Sequence, residues 1–309
     1  KERQMSKKRM LESYTHRYEH FPAWLTILIA CVMVVLFFLL GQLGGGFLVG
    51  LLSVPFIVLK PEMANSFFNS IFFQLGLFIF VALINFAWVK WYEKRSIASL
   101  GFFKKQWFLE IFKGWGVGMG IFSFAFLLTY LFGGVELQVI DFSGTAVLYI
   151  LSIIPFWFIQ GGTEELLTRG WLLPIINKRS NLPVAIGISS SLFGLMHLAN
   201  SHVTVFSIMS IILSGIFMAL YMLKTDNLWG EAGLHGAWNF TQGNIFGVAV
   251  SGMDTGRSLF RFVNKANAAK WISGGQFGTE GSLLTSLVLL VGIIVLVLLI
   301  KTDLTVKRP

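Results

Sequence analysis

The chain reads Gly161-Gly162-Thr163-Glu164-Glu165-Leu166-Leu167-Thr168-Arg169-Gly170 in the middle of an apolar run from Ala146 to Ile176. At that depth in a membrane an ionisable side chain costs several kcal/mol unless it is paired. Glu165 and Arg169 are four residues apart on one helix face, so we expect them to form an ion pair. Glu164 lies about 100° around the helix and has no charge partner in its own segment. We interpret Glu164 as a functional carboxylate; the alternative is an acid that only reaches a water-filled cavity.

The composition excludes an ordinary soluble domain. Of 309 residues, 55% are hydrophobic and 13% are charged, and the mean hydropathy is +0.73. Such values are typical of a polytopic membrane protein. The basic residues behind the net charge of +9 crowd into short loops, as the positive-inside rule expects, so no nucleic-acid partner is predicted. Cys31 is the only cysteine, which excludes an intrachain disulfide and a cysteine-based zinc site.

Hydropathy predicts an all-α polytopic transmembrane bundle of about eight spans, in the cell membrane, with both termini cytoplasmic. The first apolar run has no evident cleavage site, so we interpret it as a retained span. The predicted spans are Trp24–Leu43, Phe67–Val89, Trp115–Phe132, the long helix that ends at Asn177, Pro183–Ala199, Val203–Leu223, Leu228–Val250 and Leu283–Ile300.

Two regions outside these spans carry separate expectations. Gly44-Gly45-Gly46 predicts a break, and the apolar piece Phe47–Leu59 after it is short enough to be re-entrant or interfacial. The loop between spans seven and eight is predicted to be external, although it carries four basic residues, Arg257, Arg261, Lys265 and Lys270. We divide the chain into a basic cytoplasmic tail (1–20), spans one to three (21–145), a catalytic core (146–250), and a polar loop, last span and tail (251–309).

Further polar residues occur at matching depths in other spans. His197 lies in span five, and His235 and Asn239 lie four residues apart in span seven, on one helix face. At about 1.5 Å per residue, Glu164 and His197 each lie roughly 21 Å from the cytoplasmic turn. The corresponding depths are roughly 14 Å for His235 and 20 Å for Asn239. We therefore predict one shared site between spans four, five and seven.

Two chemistries fit these four residues. Glu164, His197 and His235 are suitable ligands for a zinc ion with an open position for water. Without metal, Glu164 and His197 can activate a water molecule, and His235 with Asn239 can donate to an oxyanion. We favour the metal-free scheme, because Asn239 is seldom a zinc ligand and is well suited to donating hydrogen bonds. A site built on Ser189, Ser190 or Ser191 would leave the glutamate pair unexplained.

Three motifs in this order resemble those of a known family. Glu164-Glu165-x-x-x-Arg169, Phe193-x-x-x-His197 and His235-x-x-x-Asn239 look like the motifs of the CPBP family of CAAX proteases and bacteriocin-processing enzymes, also called Abi proteins. That family includes the type II CAAX prenyl endopeptidases, and the resemblance covers about residues 149–247. It implies that Glu164 activates water with His197 as its partner, and that His235 and Asn239 stabilise the oxyanion. Glu165, Arg169 and Phe193 would support the site. Members have been described both as metalloproteases and as metal-free glutamate proteases.

The leading hypothesis is an intramembrane endopeptidase that cuts a membrane-associated peptide or protein near the cytoplasmic side. A CAAX-type tail, a bacteriocin leader and a signalling peptide precursor all fit as substrates, with the lipid bilayer as the other partner. A non-catalytic scaffold or an immunity factor that acts by binding is the alternative from another class. A transporter is the third, because buried acids and histidines also form proton relays.

Overall fold

The computed structural model describes residues 8–12 and 15–306. Much of the predicted tail, residues 1–7 and 13–14, lies outside the described residues, as do residues 307–309. The described part of the chain contains eight long helices, which we number in chain order. They are α1 (Ala23–Leu52), α2 (Ile71–Tyr92), α3 (Trp107–Leu131), α4 (Gly144–Arg179), α5 (Leu182–Ala199), α6 (Val205–Thr225), α7 (Trp229–Phe240) and α8 (Leu283–Val306).

The predicted polytopic helix bundle is confirmed. Within the described residues, seven helices are long and apolar enough to cross a membrane, and α7 is the helix that falls short of that length. It has 12 residues and continues as a π-helical turn over Thr241–Ile245. All of residues 230–244 are buried. The predicted seventh span is therefore a shorter helix enclosed by the others, where no long lipid-facing surface is needed.

Small residues allow the neighbouring helices to approach α7 closely. Gly114 of α3 lies against the carbonyl of Gly230, and a methyl group there would collide with it. Gly161 of α4 lies against the backbone of Gly236, where an added Cβ would come within 2.8 Å of the amide nitrogen. Close backbone approach through small residues is a common way for membrane helices to associate. These contacts place α7 directly beside the acidic segment of α4.

The glycine triplet Gly44-Gly45-Gly46 does not break the first span, so that expectation was wrong. Helix α1 runs through it without interruption for 30 residues. A Cβ at Gly45 would collide with the ring of Phe80 on α2, so the glycine serves close helix packing instead. Two short helices, Val54–Leu59 and Pro61–Phe68, follow the C-terminal end of α1. They expose mainly apolar side chains, as interfacial helices do.

Strands β1 (Val135–Ile140) and β2 (Phe260–Asn264) form an antiparallel ribbon. It joins the segment between α3 and α4 to the long connection between α7 and α8. Both connections therefore lie at the same end of the bundle. The side that this end faces stays a prediction from the charge distribution.

Candidate active site

The four residues singled out from the sequence line one cavity. Glu164 of α4, His197 of α5, and His235 and Asn239 of α7 all contribute side chains to a cavity of about 400 Å³. Helices α1 and α2 complete its wall with aromatic and amide side chains, among them Phe38, Gln42, Gln74 and Phe78. The depths estimated from the sequence thus correspond to a real convergence of three helices.

Glu165 binds two cationic or donor groups at once. Its Oε1 accepts a hydrogen bond from Nη1 of Arg169 at 3.2 Å and one from Nδ1 of His235 at 2.9 Å. The carboxylate and the guanidinium have no exposed surface. The ion pair expected from the spacing is present. Because a carboxylate only accepts hydrogen bonds, Glu165 also fixes the proton of His235 on Nδ1.

The hydrogen bond to Glu165 orients the His235 ring so that its other nitrogen, Nε2, lies toward Glu164. Nε2 of His235 lies 3.6 Å from Oε2 of Glu164. Oε2 is buried and has no hydrogen-bond partner among the described residues. Oε2 of Glu164 is thus a free acceptor beside His235, whereas Glu165 uses its Oε1 to bind both Arg169 and His235.

His197 is oriented by its own helix. Nδ1 lies 2.8 Å from the carbonyl oxygen of Phe193, one helical turn earlier, so Nδ1 carries the proton and Nε2 is left for the cavity. The ring of Phe193 packs edge-on against His197 and His235, with centroids 4.8 and 5.9 Å away, and lies 4.6 Å from the guanidinium carbon of Arg169. Phe193 therefore holds three groups of the site together. The sequence alone does not name these ring partners, the Phe193 carbonyl for His197 and Glu165 for His235.

Sequence reasoning missed Gln160. Its Oε1 accepts a hydrogen bond from Nδ2 of Asn239 at 2.9 Å, and both amides line the cavity. Each amide keeps N–H groups that this bond does not use. A usable signal existed, because Gln160 precedes Glu164 by four residues and shares its helix face.

Sequence reasoning also missed two acids. Glu231, one turn before His235, is fully buried against Glu165. Among the described residues, both oxygens of Glu231 and Oε2 of Glu165 lack a hydrogen-bond donor. Two facing carboxyl groups repel each other unless one carries a proton. The other acid, Glu280, comes from the connection before α8 and lines the cavity.

The backbone around Arg169 is π-helical. The π segment covers Leu166–Leu172, and Pro174 lies two residues after its end. Proline has no N–H for the carbonyl of Gly170, and its ring would crowd that carbonyl in an α-helix, so a wider turn fits here. The buried segment that carries Arg169 is shaped by this proline.

The candidate ligands do not form a preformed three-ligand zinc site among the described residues. Zinc takes nitrogen and oxygen ligands at about 2.0–2.2 Å, so three ligands must surround one point closely. No group of three His, Cys, Asp or Glu in the described ranges is arranged to hold a metal ion. Of the three candidate ligands Glu164, His197 and His235, the first and last approach each other, while His197 does not complete a triad.

Comparison with protein families gives this site its context. The family model of the type II CAAX prenyl endopeptidase Rce1-like proteins matches residues 145–241. This segment is an Rce1-like domain. The domain contains all four predicted catalytic residues and overlaps the predicted core of 146–250, whereas Glu280 lies outside it. The match and the seven apolar helices support a multi-pass membrane protein that contains a CAAX-type protease domain in general terms. Nothing matched the chain in comparisons with curated proteins or with solved structures.

Proposed function

We propose that the chain is an intramembrane endopeptidase in which Glu164 and His197 activate water to hydrolyse a peptide bond of a membrane-associated peptide or protein. The observation that carries this proposal is the shared cavity, in which the free oxygen of Glu164 lies 3.6 Å from Nε2 of His235 and the oriented imidazole of His197 lines the same wall. A buried carboxylate with an unused oxygen is suited to accepting a proton from water.

The water is held between two acceptors. Glu164 takes one proton as the water oxygen attacks the peptide carbonyl. Neutral His197 accepts a hydrogen bond at Nε2 because its Nδ1 is committed to the carbonyl of Phe193. Such general-base assistance accelerates reactions by about 10²–10⁴-fold.

The negative charge then develops on the former carbonyl oxygen. Asn239 and Gln160 offer N–H groups in the cavity wall that can donate to it. His235 donates at Nε2 only when it is protonated, since its single neutral proton is on Nδ1. Nε2 lies 3.6 Å from Glu164, so the proton taken from water is near a group that can carry it to the leaving amine. Collapse then breaks the C–N bond and releases a carboxylate and an amine.

The proposed reaction contains no metal step, because the candidate ligands do not form a triad. Candidate substrates are a CAAX-type tail, a bacteriocin leader or a signalling peptide precursor, bound in a cavity whose wall is largely apolar. The proposed location is the cell membrane.

The test compares newly exposed peptide ends in membranes from cells with the wild type, E164A and the control E136Q, which alters an exposed residue of β1. We expect a set of newly exposed peptide ends that is present in wild-type and E136Q membranes and absent from E164A membranes. The same ends in E164A cells would overturn the proposal and favour a scaffold.

Activity of the purified chain should also survive exhaustive chelation. Loss of activity and its return with stoichiometric zinc would replace the water-activation scheme by a metalloprotease.

A further inference from the structure

Glu280 is a second carboxylate in the cavity wall. It lies in a one-turn helix, Thr279–Gly281, directly before α8, and the residue is 9% exposed. Glu164, His197 and His235 line the same cavity. Because Glu280 lies outside the matched domain, its presence here is a property of this chain rather than of the three motifs.

One carboxylate oxygen of Glu280 accepts hydrogen bonds from within the protein. Oε1 accepts hydrogen bonds from the backbone N–H of Ser251 at 2.5 Å and from its hydroxyl at 2.9 Å. These bonds fix the carboxyl group against the turn that follows α7. No described residue donates a hydrogen bond to the other oxygen, Oε2, although the carboxyl group interacts electrostatically with His197 and His235.

The charge of Glu280 has no fixed cation beside it. No lysine or arginine of the described residues pairs with it, and none lines the cavity. Burial raises the pKa of the Glu280 carboxyl, against the effect of the two hydrogen bonds from Ser251. A carboxylate taken out of water is destabilised unless a cation compensates it. The cavity therefore has an acidic wall that no lysine or arginine of the described residues compensates.

We propose that Glu280 binds a positively charged amino or guanidino group of the substrate close to the scissile bond. This rests on the proposed function and narrows its substrates to peptides with a lysine or arginine, or a free N-terminus, near the cleaved bond. The cation must lie near that bond because Glu280 shares the cavity with Glu164 and with both imidazoles.

A matched pair of variants separates the charge of Glu280 from its structural contacts. In E280Q the amide oxygen can still accept both bonds from Ser251, while the negative charge is gone. The control D254N removes an acid of the same connection whose side chain is 75% exposed and lies outside the cavity wall.

Binding is measured on the full chain in lipid nanodiscs, with E164Q as background so that no peptide is cut. The probes are three random peptide pools. The first is capped at both ends and has a fixed central lysine, the second has norleucine in its place, and the third is the norleucine pool with a free N-terminus. We expect a cationic pool to bind at least about tenfold more tightly than the capped norleucine pool, since buried charge pairs commonly contribute this much. The preference should vanish in E280Q and persist in D254N.

The third pool identifies the source of the cation, because it binds tightly only if a substrate N-terminus is recognised. Equal affinity for all pools, or a preference that survives in E280Q, would overturn the inference. If E280Q does not fold, E280D replaces it and should still prefer the cationic pools, because it keeps the negative charge. Equal affinity of the E164Q background for all three pools would overturn the inference in that case too. Because no hydrolysis is involved, a cation preference without cleavage by the wild type would defeat only the proposed function. Cleavage without a cation preference would defeat only this inference.

Discussion

Two buried acidic clusters in this molecule differ in how completely their atoms are bonded. The tail cluster consists of Tyr18, Glu93, Arg95 and Trp171. Oε1 of Glu93 accepts from the Tyr18 hydroxyl at 3.1 Å and from Nε1 of Trp171 at 2.8 Å, and Oε2 pairs with Nε of Arg95 at 2.5 Å. Both oxygens of this carboxylate are occupied by protein donors.

The cavity cluster consists of Glu164, Glu165, Arg169, Glu231 and His235. Here, among the described residues, several buried atoms have no hydrogen-bond partner: one oxygen each of Glu164 and Glu165, both oxygens of Glu231, and Nε and Nη2 of Arg169. Most buried polar atoms in proteins are bonded, and exceptions call for an explanation. A buried acid whose oxygens are all hydrogen-bonded holds chain segments together, whereas one with an unbonded oxygen is available for protons or ligands.

The largest effect on stability is expected from Arg169→Met, which keeps an apolar stem near Phe193 and removes the charge. Glu165 would then be buried without its ion-pair partner, at a cost of about 3–5 kcal/mol. Unfolding in detergent measures the loss. The double variant E165Q/R169M should recover part of it, because no unpaired charge is left. Wild-type stability of R169M would show that the ion pair does not support the site.

A smaller loss is expected from Glu93→Gln in the tail cluster. The amide replaces a charged acceptor and turns an N–H toward Arg95, so about 1.5–3 kcal/mol of unfolding free energy should be lost. The rate of cleavage per folded molecule should stay unchanged. A reduced kcat at full folding would mean that the tail cluster also serves the reaction, and the contrast between the clusters would fail.

The smallest effect is expected from Glu231→Gln. Its amide N–H can donate to Oε2 of Glu165 in place of a shared proton, so stability should remain near that of wild type. Glu231→Ala should cost about 1–3 kcal/mol, because it removes the carboxyl group whose proton would otherwise be the donor for that buried oxygen. Unfolding curves of the two variants side by side provide the measurement, and equal stability would exclude a bond between the two acids.

Much of this arrangement was predictable from the sequence. Long apolar runs identified the membrane helices, and the four-residue spacing of Glu165 and Arg169 identified the ion pair. Helical rise placed Glu164, His197 and Asn239 at a common depth, which the shared cavity matches. These features depend on spacing within single helices.

What was missed depends on contacts between segments. Glu280 lies in a polar connection, where an acid looks solvated, and its burial follows from packing against the turn at Ser251. The bond from His235 to Glu165 joins residues 70 positions apart, and no pattern within either helix specifies it. Gly45 was misjudged because the ring of Phe80, against which it packs, is on another helix.

The π-helical stretch before Pro174 also sets the rotational phase of α4. A π-helical turn rotates less per residue than the about 100° of an α-helix, so regular α-helical geometry over Leu166–Leu172 would point everything after it in a different direction. Ile175 and Ile176, now buried, would leave their places while the hydropathy profile hardly changed. Insertions and deletions in this short stretch are therefore constrained far more tightly than substitutions between similar apolar residues.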